Sequence, residues 1–248
     1  MDTEFRQRFE ALWGKHFDGE DLPITFCYTD QEGRAELVEP GSSPRCLIAA
    51  LAEVRSGRPL CFGPDSIGCA GGRRYVGFAE HIRPDFEYFL SCGIPGRLEG
   101  ERYMKSPELV REVMEHAPHL KAPRRYIVFK RWDDLQESDD VDVVIFFARP
   151  DVLSGLFTLA NYDEPRPEGV FTPFGAGCSS IVQYPYIESG AAHPRGVIGM
   201  FDVSARPHVP ENVLTFAVPF SKLVSMADNM EESFLITRSW ERVRRRLQ

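Results

Sequence analysis

Residues 141–148 read Val-Asp-Val-Val-Ile-Phe-Phe-Ala, and this run limits the fold more than any other segment of the chain. A strand so apolar has no face suited to water, so it predicts a central place in a sheet with helices packed on both sides. Two apolar helices can supply that cover. One spans 46–54, with Ser43 as cap candidate, Pro44 in its first turn and Gly57 after its stop. The other spans 152–160, after Pro150. The alternation of elements along the chain predicts an α/β class, with mixed α+β as the variant, built as a sheet flanked by helices.

The remaining elements follow from periodicity and punctuation. Phe5, Phe9, Leu12 and Trp13 recur at helical spacing in 2–16. Strands are expected at 24–29, 60–62, 124–132, 170–174, 196–200 and 214–218. Helices are expected at 107–116, capped by Ser106, and at 220–230 and 239–247, with Ser221 and Thr237 near their starts. The short run 75–78 fits either type.

Two stretches close a hydrophobic strand in the same way. They are Phe62-Gly63-Pro64-Asp65-Ser66-Ile67-Gly68-Cys69 and Phe174-Gly175-Ala176-Gly177-Cys178. Laid side by side, strand 24–29 matches 141–148, helix 46–54 matches 152–160, and a Gly-Cys loop follows each. Later, 125–135 resembles 212–223. This order predicts a single globular domain of two pseudo-symmetric halves sharing a core, about 20–135 and 141–235. The acidic stretch 136–140 joins them, and a pseudo-twofold axis would relate the two Gly-Cys loops.

Composition excludes several classes. A net charge of -8 argues against a general nucleic-acid binder, which needs Lys and Arg to neutralise phosphates. The cluster Arg242, Arg244, Arg245 and Arg246 reads as cations complementing a helix C-terminus. The first residues lack the apolar core of a signal peptide, and the longest apolar runs, 46–52 and 141–148, are too short for a membrane span. Six cysteines without a Cys-x-x-Cys pair suit a reducing compartment, so a cytoplasmic protein with free thiols and no membrane attachment is expected. A homo-oligomer stays open.

Chemistry concentrates at the Gly-Cys loops. Cys69 precedes Gly71, Gly72 and Arg73, a group that could hold an anion, and Cys178 precedes Ser179 with the same kind of small donor. With Arg206 adding charge, these residues predict a small-molecule or cofactor site for an acidic ligand between the loops. The bland alternative is a pair of tight turns with inert thiols. A sharper alternative is a redox enzyme in which Cys46, Cys69, Cys92 and Cys178 hold an iron–sulfur cluster or another metal. No local cysteine pair seeds such a centre, so each ligand would come from a separate segment. A third reading is a structural or partner-binding protein without catalysis. Cys27 and Cys61 lie inside strand runs and read as core. No hydrolase, zinc-protease, Walker or dinucleotide pattern occurs, so no catalytic residue is assigned.

Several segments together resemble a known family. They are Cys46-x-x-Ala49, the Cys69-Ala-Gly-Gly turn with Gly77-Phe78, and Gly177-Cys178-Ser179-Ser180-Ile181-Val182-x-Tyr184-Pro185. Gly199-Met200-x-Asp202-x-Ser204-x-Arg206, the 214–219 strand and Glu232-Ser233-Phe234-Leu235 with Trp240 complete the set. From Cys46 onward the chain resembles the domain of unknown function 169 family. The resemblance implies a soluble prokaryotic protein and carries over no site residues.

Overall fold

The apolar run does take the centre of the sheet. In the computed structural model, which describes residues 1–41 and 46–247, it forms β5 (Val143–Ala148), paired with β1 (Ile24–Thr29) on one side and β8 (Leu214–Pro219) on the other. Five of its six residues, Val143, Val144, Ile145, Phe146 and Ala148, are almost wholly excluded from water. The expected cap Ser43 and first-turn Pro44 lie outside the described residues.

The other elements, in chain order, are α1 (Thr3–His16), β2 (Glu36–Leu37), α2 (Leu47–Arg55), β3 (Leu60–Phe62), α3 (Ala70–Tyr75), α4 (Phe86–Leu90), α5 (Pro107–His116) and β4 (Tyr126–Arg131). After β5 come α6 (Pro150–Ala160), β6 (Val170–Phe171), a π-helical turn (Ser179–Gln183), α7 (Tyr184–Glu188), β7 (Gly196–Gly199), α8 (Phe220–Asn229) and α9 (Arg238–Arg244). Local chemistry sets the helix starts. Asp2 accepts from Glu4 N–H at α1, Ser106 from Leu109 N–H at α5, and Thr237 from Trp240 N–H at α9.

The eight strands form one mixed sheet in the order β2-β3-β4-β1-β5-β8-β7-β6. Read outward from the central β1–β5 pair, each half has an antiparallel neighbour, a second antiparallel strand and then a short parallel one. The correspondence reaches individual hydrogen bonds. Trp132 N–H donates to the Pro23 carbonyl in one half, and Phe220 N–H to the Asp142 carbonyl in the other, both at 2.9 Å. The fold is therefore α/β with two pseudo-symmetric halves.

Helices cover both faces. One face packs α2, the start of the π-turn and Val76 against Ile24, Phe26, Ile127, Phe129, Val143 and Ile145. The opposite face packs α1, α6, α8 and α9 against Val144, Phe146, Phe216 and Val218, with Trp13, Trp132 and Trp240 in one aromatic cluster. The expected cover of β5 by the 46–54 and 152–160 helices is thus present, one helix on each face.

That same arrangement corrects two of the sequence matches. α2 stands between β2 and β3, whereas α6 stands between β5 and β6 on the other face, so the two helices are not equivalent. The segment that follows β6 as α2 follows β2 is the π-turn with α7. The two Gly-Cys loops are not mates either: one follows β3, the other follows β6. The residue standing like Cys178, immediately before the helix, is Cys46.

Candidate functional site

The π-turn and α2 begin side by side, and the reason is Gly177. A β-carbon there would lie 3.1 Å from Ala205 Cβ and 3.1 Å from Met200 Sδ, and 3.5 Å from Ile48 Cγ1. A side chain there would press on Met200 and Ala205, so glycine favours the close approach of the π-turn start to α2 and the loop after β7. Asp202 fixes the approach. Its Oδ2 accepts from Gly177 N–H at 2.9 Å, while Oδ1 accepts from the Ser204 N–H at 3.0 Å and hydroxyl at 2.7 Å. Met200, two residues earlier, is buried with φ at 71°, a left-handed backbone that a side-chain-bearing residue adopts only under constraint.

Cys178 lies at this meeting point and is buried. Burial is the main cause that pushes its thiol well above the usual range, and Cys46, Cys69 and Asp202 add to it as neighbouring groups that repel a thiolate. This environment disfavours the thiolate form of Cys178. Three of the four cysteines expected in a metal set thus lie near one another. The fourth, Cys92, sits in an exposed turn, its Sγ 3.4 Å from the Gly93 carbonyl, and does not figure among the groups acting on Cys178. Among the described residues, no group of three or more His, Cys, Asp or Glu is placed to hold a metal ion.

Cys69 caps α3, its Sγ accepting from Gly72 N–H at 3.5 Å. The paired glycines differ in role. A β-carbon at Gly72 would meet Ile67 Cγ2 at 2.9 Å, so this glycine serves helix packing, whereas Gly71 has room for one. Ser179 donates its hydroxyl to the Ala176 carbonyl at 2.7 Å and acts as a turn cap. Arg206 is also committed to the protein itself, donating to the carbonyls of Val213, Pro210 and Glu211.

Arg73 and Arg74 behave otherwise. Arg74 is only 6% exposed, and its Nη1 is buried with no hydrogen-bond partner; Arg73 Nε is in the same state. Burial lowers the Arg74 pKa, the neighbouring Tyr75 and Glu80 opposing that shift. Tyr75 stands between this arginine and Cys178: burial pushes its phenol up to about 12, Arg74 opposes that shift, and Cys178, Tyr184 and Asp202 add to it. Sequence reasoning named Arg73 but missed Arg74 and Tyr75. The signal available was an Arg-Arg pair immediately after a Gly-Gly, but burial depends on distant segments that no local pattern records.

The model of a family described as DUF169, an uncharacterised ArCR, matches residues 17–229. The match starts earlier than the resemblance read from Cys46 and stops before the 232–240 segment. Neither the curated proteins nor the solved structures gave a match.

Proposed function

We propose that this chain, which belongs to the domain of unknown function 169 family, binds a small organic acid at the junction of the α2, α3 and π-turn starts. One observation carries the reading: two adjacent arginines in the last turn of α3, the helix that Cys69 caps, each keep one buried donor nitrogen without a partner. A buried donor without a partner costs about 1–3 kcal/mol, and an anion entering between the two arginines would supply the missing acceptors. A planar guanidinium suits a carboxylate or phosphate in particular. Phe174, Phe201 and Val203, all exposed, flank the Gly177–Asp202 contact and would cover the apolar body of such a ligand.

The cysteine-ligated redox centre has weaker support, because the donor set lacks Cys92 and is not gathered for a metal. In the proposed site Cys69 and Cys178 are lining groups, and Asp202 is a clamp between loops.

Isothermal titration of the full chain with inorganic phosphate, succinate and citrate tests the reading. At least one should bind saturably, and Arg74→Gln should weaken that binding by about tenfold or more. Absence of binding by all three, or equal binding by the variant, would overturn it.

A further inference from the structure

We propose that a second, independent site binds a small protonated amine in the cleft at the C-terminal end of β1. The cleft has a volume of about 450 Å³ and is lined by Tyr28, Asp30, Arg124, Asp140, Asp142 and Tyr186, among others. It lies between the end of β1, which contributes Tyr28 and Thr29, and the segment entering β5, which contributes Asp140 and Asp142.

Two aromatic rings form one wall. Tyr28 and Tyr186 meet edge to face, centroids 5.0 Å apart, and the Tyr28 hydroxyl is anchored on the Val76 carbonyl at 2.7 Å. This leaves Tyr28 as a fixed ring rather than a polar group facing the ligand. The lining also carries three carboxylates and one guanidinium. Asp30 is engaged by Arg124 at 3.3 Å and by the Arg125 N–H at 2.9 Å. Asp142 Oδ2 accepts from the Tyr28 N–H at 2.8 Å. Asp140 has no hydrogen bond or ion pair among the described residues, so the cleft keeps an excess of negative charge. Burial raises the Asp142 pKa, the Tyr28 N–H opposing the shift and Asp140 adding to it, and a bound cation would reverse it.

Aromatic faces beside carboxylates recognise an ammonium group through its charge and its N–H donors together. A bare metal ion fits less well, since these carboxylates are not grouped as metal ligands.

The equivalent cleft in the other half provides an internal control. Thr29 faces Tyr126, and Ala148 faces Leu214, so Arg149 stands where Asp30 does and Asn212 where Arg124 does. There the space shrinks to about 150 Å³. Arg149 bonds to Glu20 and to the Leu247 carbonyl, and Arg246 pairs with Asp151 at 3.0 Å. One half closes its cleft with the C-terminal segment, while the other leaves an acidic, aromatic opening.

The test is calorimetric titration of the full chain with 1,4-diaminobutane at fixed ionic strength, with sodium butanoate as the anionic control. Saturable binding of the diamine alone is expected. Asp140→Asn, at an exposed position with no structural partner, should weaken it at least about threefold, and Asp142→Asn about tenfold. Arg124→Gln, which removes the opposing charge, should tighten it, and Arg74→Gln should leave it unchanged. Lack of saturable heat with the diamine, or identical affinity in Asp140→Asn and Arg124→Gln, would overturn the proposal.

Discussion

The two halves of the sheet run their strands in the same order, yet the helix after the short parallel strand differs between them. In the first half, α2 is a regular nine-residue helix whose buried side is Leu47, Ile48, Ala50, Leu51 and Val54. In the second, the chain enters through a π-helical turn and continues into α7 with Pro185 in its first turn. Proline lacks the N–H that a regular helix would use there, and the wider π spacing accommodates the missing bond. The loops after β3 and β7 diverge as well. The first leads to Cys69, Arg73 and Arg74, the second to Asp202 and a carbonyl-bound Arg206. A shared frame thus carries donors in one half and a clamp in the other, and the candidate site needs both.

The largest effect should come from the shared frame. Val144 on β5 and Thr25 on β1 occupy equivalent positions, and both are buried. Val144→Asp strands a carboxylate in the core and should unfold the protein, as read by circular dichroism. Val144→Thr should cost only about 1–3 kcal/mol, because Thr25 already places a hydroxyl there, bonded to the Lys130 carbonyl at 3.2 Å. Equal loss in the two variants would break the equivalence of the halves.

A smaller effect tests their difference. β3 ends in Phe62, and β7 ends in Gly199 at the matching position. A β-carbon at Gly199 would lie 2.0 Å from Ser180 Oγ, so the π-turn sits much closer to its strand than a side chain permits. Gly199→Ala should therefore destabilise by about 1–3 kcal/mol in urea unfolding. Gly199→Ala combined with Ser180→Gly should recover part of that loss. A neutral single variant would mean that the closeness of the π-turn to β7 is not a constraint.

The smallest effect is on pH dependence. The Cys178 thiol is raised in the folded chain above its ordinary value of 9.0. The unfolded chain ionises this thiol first, so its contribution to stability is complete below that value and falls as pH rises beyond it. Cys178→Ser should flatten the alkaline limb above about pH 9, measured as unfolding midpoints. An unchanged limb would indicate that the thiol is open to water.

Much of this frame was legible in the sequence, because strong apolar runs and end signals are local. Strand 24–29, strand 60–62 and helix 107–116 are found at the expected residues, and β5 is central for the reason its composition gives. The pairing of the 46–54 and 152–160 helices failed because both are apolar. Their difference lies in position relative to β2 and β6, strands of two residues each, and β2 is fully exposed, with no pattern to read. The π-turn was missed because Ser179, Ser180 and Pro185 look like a loop. At the site, the loops were legible as close backbone approaches. Their grouping was not, since it depends on which helix starts lie together across the sheet face. Arg206 shows the opposite failure, a charge that looks available until its three carbonyl partners are seen.

The central claim is that Arg74 is buried for an anion rather than for the fold, and the stability of Arg74→Met against wild type tests it most directly. Methionine fills similar space without a charge, so without ligand the variant should unfold at a higher temperature, by roughly 2–4 °C for each kcal/mol gained. With saturating anion, chosen as the tightest binder among phosphate, succinate and citrate, the order should reverse, because only wild type gains from binding. A variant less stable than wild type without ligand, and raised equally by the anion, would contradict the account.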